Sequence, residues 1–148
     1  KQFLRKTIAK TYVAILEKDI SGSFPDEGSI NLPLRVDLED RPRQVVCHEY
    51  GRNALTTYKI LNIVDGKTII RFHPVTGRTH QLRVHAAHHL GLNAPIEGDD
   101  LYGTRKDRLY LHAETITFKH PTTREIMTFQ SKAPFCQEHL QAITAQED

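Results

Sequence analysis

The chain has 148 residues, with 20 Lys+Arg against 18 Asp+Glu, 9 His and a formal net charge of +2. At 39% hydrophobic and 26% charged residues it is not the sequence of a disordered chain, and its length suits one domain over 1–148 that buries about two thirds of its unfolded surface. No stretch approaches the ~20 apolar residues of a membrane helix, and the N-terminus has no apolar run of signal-peptide length. The first residue is Lys1 rather than Met, which reads as a cut or processed chain. Two cysteines, Cys47 and Cys136, cannot build a disulfide framework and point to a reducing compartment, the cytoplasm. So small a net charge neither requires nor excludes a nucleic-acid partner, because a basic patch can hide in a balanced total.

Strand and turn signals alternate along the chain. Ile8, Tyr12, Val13, Ile15 and Leu16 predict a strand over 8–16. A turn-rich stretch follows over 21–28. A short strand over 30–34 is interrupted by Pro33, which places it at an edge or at a strand end. Strands are predicted over 44–48 and 54–64. Asp65-Gly66 then lies between β-branched runs and predicts a tight hairpin, because both turn residues need positive φ. Segments 110–118 and 126–129 predict a second hairpin. A helix is predicted over 79–90, ended by Gly91, with Leu82, Ala86 and Leu90 on one face. A second amphipathic helix is predicted over 135–145. The sum is an α+β protein with a mainly antiparallel mixed sheet and flanking helices.

The densest chemistry lies in Thr76-Gly77-Arg78-Thr79-His80-Gln81-Leu82-Arg83-Val84-His85, which leaves a strand, turns at Gly77 and enters a helix. Free backbone N–H groups at a helix start attract anions, and Arg78 beside them suits a phosphate or carboxylate. Arg83, one turn inside, can fix a carboxylate brought from elsewhere. A solvated basic face is the plainer reading, and spacing alone does not separate the two. His85, His88 and His89 have a spacing that could hold zinc. No carboxylate or cysteine lies nearby and H-E-x-x-H is absent, so they are read as helix-surface groups and no metal is expected. Lys10 and Tyr12 share one side of their strand, and Lys avoids a dry core, so that side reads as the wall of a cleft. Asp99 in Gly98-Asp99-Asp100-Leu101-Tyr102-Gly103 reads as a cap for backbone groups, with catalytic acid as the sharper alternative. Arg41-Pro42-Arg43 suits either a phosphate contact or a solvated loop.

Taken in order, these segments resemble the RluA-type family of RNA pseudouridine synthases. The resemblance rests on Lys10-Thr11-Tyr12, on Arg41-Pro42-Arg43 with Ala54, Thr56, Thr57 and Tyr58, and on the Thr76 to His85 signature. It continues through Pro95-Ile96, the Gly98 to Gly103 run, Leu111-His112-Ala113, His120-Pro121 and Ala133-Pro134-Phe135, and so spans nearly the whole chain. It implies a pseudouridine synthase fold, here incomplete. It also implies isomerisation of uridine in ribosomal or transfer RNA, on a nucleotide flipped out of its stack, with no metal or organic cofactor. An aspartate starts the reaction; the base is detached, rotated and rejoined through C5. By the same resemblance Tyr12 stands against the uracil ring, Arg83 pairs with the catalytic carboxylate, and Leu111 supplies an apolar wall. Lys10, Arg78 and His80 are RNA contacts on the strength of charge and position.

One part of the family pattern is missing. The nucleophile belongs to an H-R-L-D-x-x-T-S-G motif upstream of K-T-Y, and no His-Arg-Leu-Asp occurs in these residues. The chain therefore reads as the C-terminal part of a synthase catalytic domain, inactive alone; the alternative is a non-catalytic RNA-binding module. Arg83 is expected to be solvated, or to recruit Asp99 or an anion. A sheet lacking its upstream strands exposes an edge, which makes a homodimer an expectation.

Overall fold

Five β-branched or aromatic runs account for most of a six-stranded sheet in the computed structural model, which describes residues 9–119, 122, 123 and 125–134. The strands are β1 (Ala9–Leu16), β2 (Glu27–Asn31), β3 (Leu34–Val36), β4 (Gln44–Val46), β5 (Leu55–Val64), β6 (Lys67–Pro74), β7 (Leu111–Lys119) and β8 (Ile126–Gln130). One α-helix, α1 (Gln81–Ala87), follows β6. The large sheet runs β2-β5-β6-β1-β7-β8, and β3 pairs with β4 in a separate two-stranded sheet. Every pairing between these strands is antiparallel, in keeping with the mainly antiparallel sheet expected of an α+β fold. Lys1 to Lys6, Ile8, His120, Pro121, Phe135, Cys136 and the predicted helix over 135–145 lie outside the described residues.

The hairpin signal at Asp65-Gly66 is met: φ is 53° at Asp65 and 75° at Gly66, and β5 pairs with β6 across the turn. The predicted strand over 30–34 divides at Pro33, which has no N–H to give a ladder, into β2 and β3. Helix α1 is shorter than predicted. It starts at Gln81, because His80 takes a left-handed conformation (φ 55°), and it ends at Ala87 because His88 is extended. Leu90, expected on the buried face, is therefore beyond the helix and exposed. Gly91 sits where a Cβ would lie 2.1 Å from the His85 carbonyl oxygen; close backbone approach rather than a left-handed cap requires glycine there.

Alternation along the strands fills both faces of the sheet. Ala14, Leu16, Ile70 and Phe72 pack on one face against Leu82 and Ala86 of α1 and against Leu92, Ala94 and Ile96 beyond it. Phe72 is fully buried, worth up to ~3 kcal/mol of apolar transfer. Val13, Ile15 and Ile69 pack on the other face with Ala133. A third cluster, Leu34, Ala54 and Val84, joins the small sheet to α1. In the β1–β7 pairing Thr11 faces Thr115 while Tyr12 faces Ala113, which leaves Glu114 as an extra residue, paired with Arg71 at 2.8 Å.

The two left-handed glycines should respond differently to alanine. At Gly66 a Cβ meets nothing within 4 Å, so Gly66→Ala carries only the conformational cost of about 1 kcal/mol. At Gly98 (φ 81°) a Cβ would lie 1.6 Å from the Arg108 carbonyl oxygen, so Gly98→Ala should cost about 3 kcal/mol or more. Urea unfolding of both variants checks the difference.

Candidate functional site

Antiparallel pairing sets Tyr12 of β1 opposite Phe72 near the end of β6 and opposite Ala113 near the start of β7, and α1 closes the space beside them. The result is an open cleft of about 470 Å³. Lys10, Tyr12, Arg78, His80, Arg83 and Leu111 all line it, together with Gln81, Leu82 and the turn from Pro74 to Gly77. Residues scattered over a hundred positions of sequence thus share one concave surface. Lys10 and Tyr12 lie on the same wall, as strand alternation requires, and Leu111 closes it from β7, half-buried against the main core.

The turn leading into α1 is held by an internal polar network. Leu55 N–H donates to Thr76 Oγ1 (2.9 Å), and Thr76 Oγ1–H donates to Gln81 Oε1 (2.7 Å). Arg78 N–H donates to the same Gln81 oxygen at 3.0 Å. Gln81 Nε2 donates to the Leu55 carbonyl and to Thr56 Oγ1, each at 2.9 Å. With that lone pair taken, Thr56 O–H donates to His85 Nδ1 (2.8 Å), and His85 Nε2–H donates to the Leu32 carbonyl (2.9 Å). Gln81, Thr56 and His85 are all buried, and each polar atom in the chain of bonds has a partner. One expectation is corrected here. His85 is a core histidine rather than a surface group; burial, foremost, holds its imidazole below the ordinary range. The backbone N–H groups of Thr76 and Arg78 are used within the turn. Arg78 also gives Nε–H to the Asn53 carbonyl at 2.7 Å. Among the described residues no group of three His, Cys, Asp or Glu side chains could hold a metal ion.

Arg83 projects from α1 onto a carboxylate of this chain. Its Nε donates to Asp99 Oδ2 (3.0 Å) and its Nη2 to Asp99 Oδ1 (2.7 Å), with Asp100 Oδ1 at 3.2 Å. The Arg83 side chain is 16% exposed and that of Asp99 is 0% exposed. Of the alternatives expected for Arg83, solvation, Asp99 or an anion, the structure has Asp99, because a guanidinium removed from water is costly unless an anion pairs with it. Asp99 Oδ1 also accepts the backbone N–H groups of Leu101 (3.0 Å) and Tyr102 (3.1 Å), the capping expected of it. Burial pushes the Asp99 carboxyl up, but Arg83 and these two N–H groups outweigh it and hold it below the ordinary carboxylate range.

Tyr102 joins this group, and sequence reasoning passed over it. The Arg83 guanidinium lies over its ring at 5.3 Å from the centroid, and that of Arg43 at 5.2 Å. His80 meets the ring edge-on, with centroids 5.6 Å apart. Its signal was its place in the Gly98 to Gly103 run, where the sequence drew attention to Asp99. Arg43, a loop residue either solvated or bound to phosphate on sequence grounds, pairs with Asp40 at 3.1 Å and reaches this ring.

The comparisons with known proteins agree with one another. The family model for RNA pseudouridylate synthase matches residues 1–88. The dual-specificity RNA pseudouridine synthase RluA of Haemophilus ducreyi is 40% identical over 141 residues, covering 91% of this chain and 62% of that protein. Its counterpart in Vibrio cholerae is 38% identical over 152 residues, covering 97% of this chain and 58% of that one. The solved structure of human RNA pseudouridylate synthase domain containing 1 superposes with a TM-score of 0.73 at 26% identity, over 95% of this chain and 67% of the other. The chain thus spans about 60% of the length of the curated relatives it matches.

Removing the Asp99 charge should cost both stability and its acid dependence. The depressed carboxyl stabilises the fold at pH values above its unfolded pKa of about 3.9, and that stability is lost as pH falls through the lower folded value. Asp99→Asn, which leaves Arg83 without its buried anion, is expected to lose ~3 kcal/mol at neutral pH and to flatten the decline below about pH 4. Urea midpoints measured from pH 2 to pH 7 test both effects.

Proposed function

The chain belongs to the RNA pseudouridylate synthase family, and we propose on that premise that its cleft receives a flipped-out uridine of ribosomal or transfer RNA for isomerisation to pseudouridine. The observation that carries this reading is the convergence of Lys10, Tyr12, Arg78, His80, Arg83 and Leu111 on one 470 Å³ cleft. In the isomerisation the C1′–N1 bond breaks, C1′ bonds to C5, the C5 proton leaves and N1 gains one. Tyr12 stands against the uracil ring and Leu111 walls it on the apolar side. Lys10, Arg78 and His80 take the RNA. Arg83 orients an aspartate nucleophile supplied from outside these 148 residues. Asp99 occupies its Nε and Nη2, and Nη1 has no partner among the described residues, which leaves that nitrogen for the nucleophile. The single described cysteine, Cys47, is a free thiol and suits a reducing cytoplasm.

Pseudouridine formation on bulk ribosomal and transfer RNA tests the reading. It is measured for this chain, for a longer protein that adds an H-R-L-D segment, and for that protein with Arg83→Ala. Only the second is expected to be active, with Arg83→Ala at least about 100-fold slower. Isomerisation by this chain alone would overturn the placing of the nucleophile elsewhere. Binding without isomerisation by the longer protein would favour a non-catalytic RNA-binding module. RNA affinity should fall steeply with salt as phosphate contacts release counterions. The same reading includes a homodimer formed through an edge strand, β2 or β8, because each lies at the end of the sheet. Sedimentation equilibrium should give twice the chain mass, and a monomer mass would remove the dimer from the proposal.

A further inference from the structure

We propose that Tyr102 is a positioning residue that fixes His80 as a hydrogen-bond donor toward an acceptor oxygen of RNA in the cleft. The inference rests on the reading of the cleft as an RNA site and adds a residue to it. Tyr102 Oη lies 2.8 Å from the Gln44 backbone nitrogen and 2.8 Å from His80 Nδ1. A backbone N–H can only donate, so Gln44 fills one lone pair of the phenol oxygen. The phenol proton then goes to His80 Nδ1, the acceptor within reach. A neutral imidazole that accepts at Nδ1 carries its proton on Nε2. Nε2 has no hydrogen-bond partner among the described residues, and His80 lines the cleft. The opposite tautomer would leave the phenol proton without an acceptor in a half-buried position.

Two further observations support the assignment. Burial, and then the neighbouring Arg83 charge, hold the imidazole below its ordinary range against the opposite pull of Asp99 and Asp100, so the neutral ring is the resting form. His80 is also held in a left-handed backbone conformation (φ 55°, ψ 19°), uncommon outside glycine, though histidine adopts it more readily than most residues. Ring and backbone are both constrained at the one histidine that faces the cleft from the turn before α1. The Arg43 and Arg83 guanidiniums over the same phenol ring hold Tyr102 in place independently of its hydroxyl.

The test separates the tautomer from the binding. Nitrogen-15 NMR of His80 in this chain should show protonated Nε2, and Tyr102→Phe, which keeps the ring and loses the hydroxyl, should give a mixture of tautomers. Binding is measured to an RNA oligonucleotide with a single uridine. His80→Ala should weaken it roughly tenfold, the scale of one hydrogen bond to a polar acceptor, and Tyr102→Phe about twofold, in proportion to the Nε2-protonated fraction it loses. The double variant should lose no more than His80→Ala alone, because one residue acts through the other. An abasic residue in place of the uridine removes the His80 effect if the acceptor is a base carbonyl and leaves it if the acceptor is a phosphate oxygen. Protonated Nδ1 in the unaltered chain, an unchanged tautomer in Tyr102→Phe, or additive losses would overturn the proposal. A tautomer that responds in a chain that binds no RNA would overturn the RNA reading of the cleft while the Tyr102–His80 link stands.

Discussion

The cleft depends on one ion pair. Asp99 is completely enclosed, and an ionised carboxylate in that position is tolerable because four donors meet it, three on Oδ1 and one on Oδ2. Arg83 supplies two N–H groups in a planar fork and the backbone of Leu101 and Tyr102 supplies two more. The pair therefore does more than offset charge. It ties α1 to the turn after Ile96, sets the height at which Arg83 enters the cleft, and brings the Tyr102 ring under the guanidinium. A flexible lysine at position 83 could neutralise Asp99, but it could not fill both carboxylate oxygens and cover the ring at once.

Beneath the ion pair lies a second device of a different kind. The bonds from Leu55 through Thr76, Gln81, Thr56 and His85 to Leu32 are all neutral, and direction is fixed along their whole length by groups that can only donate or only accept. Such a network gives little net stability per bond, yet leaving any one member unpaired in the core is costly. It makes the turn before α1 rigid enough that Arg78 and His80, which line the cleft, have defined positions without a long helix to carry them.

The sheet was largely legible in the sequence, and the reasons are local. Asp65-Gly66 between β-branched runs leaves few alternatives to a tight hairpin, and Pro33 divides the strand it interrupts. The family resemblance singled out Tyr12, Arg83 and Leu111, charge and position singled out Lys10, Arg78 and His80, and strand alternation independently put Lys10 with Tyr12. The helix was over-extended because Leu90 continues a four-residue spacing that the chain abandons at His88; periodicity does not register a backbone conformation set by close packing at Gly91. His85 was read as a surface group because its partners, Thr56 and Leu32, lie 29 and 53 residues away in sequence. Tyr102 was missed for the same reason: its role depends on Gln44, Arg43, His80 and Arg83, which only tertiary structure assembles.

The sheet order has a consequence for how the molecule comes together. β1 is first among the described strands yet lies inside the sheet, between β6 and β7. Its partners begin some fifty and a hundred residues later, so on a ribosome β1 emerges long before either neighbour exists. The hairpin of β5 and β6 is the piece able to form early, since only two residues separate its strands. Wedging β1 between that hairpin and β7 must wait for residues beyond 110, a closure of long loops that slows folding. Tyr12, Arg83 and Leu111 are drawn from three separate stages of that sequence. The cleft is therefore among the last features to exist, and a nascent chain that exposes β1 in the interval offers an unpaired strand to whatever meets it first.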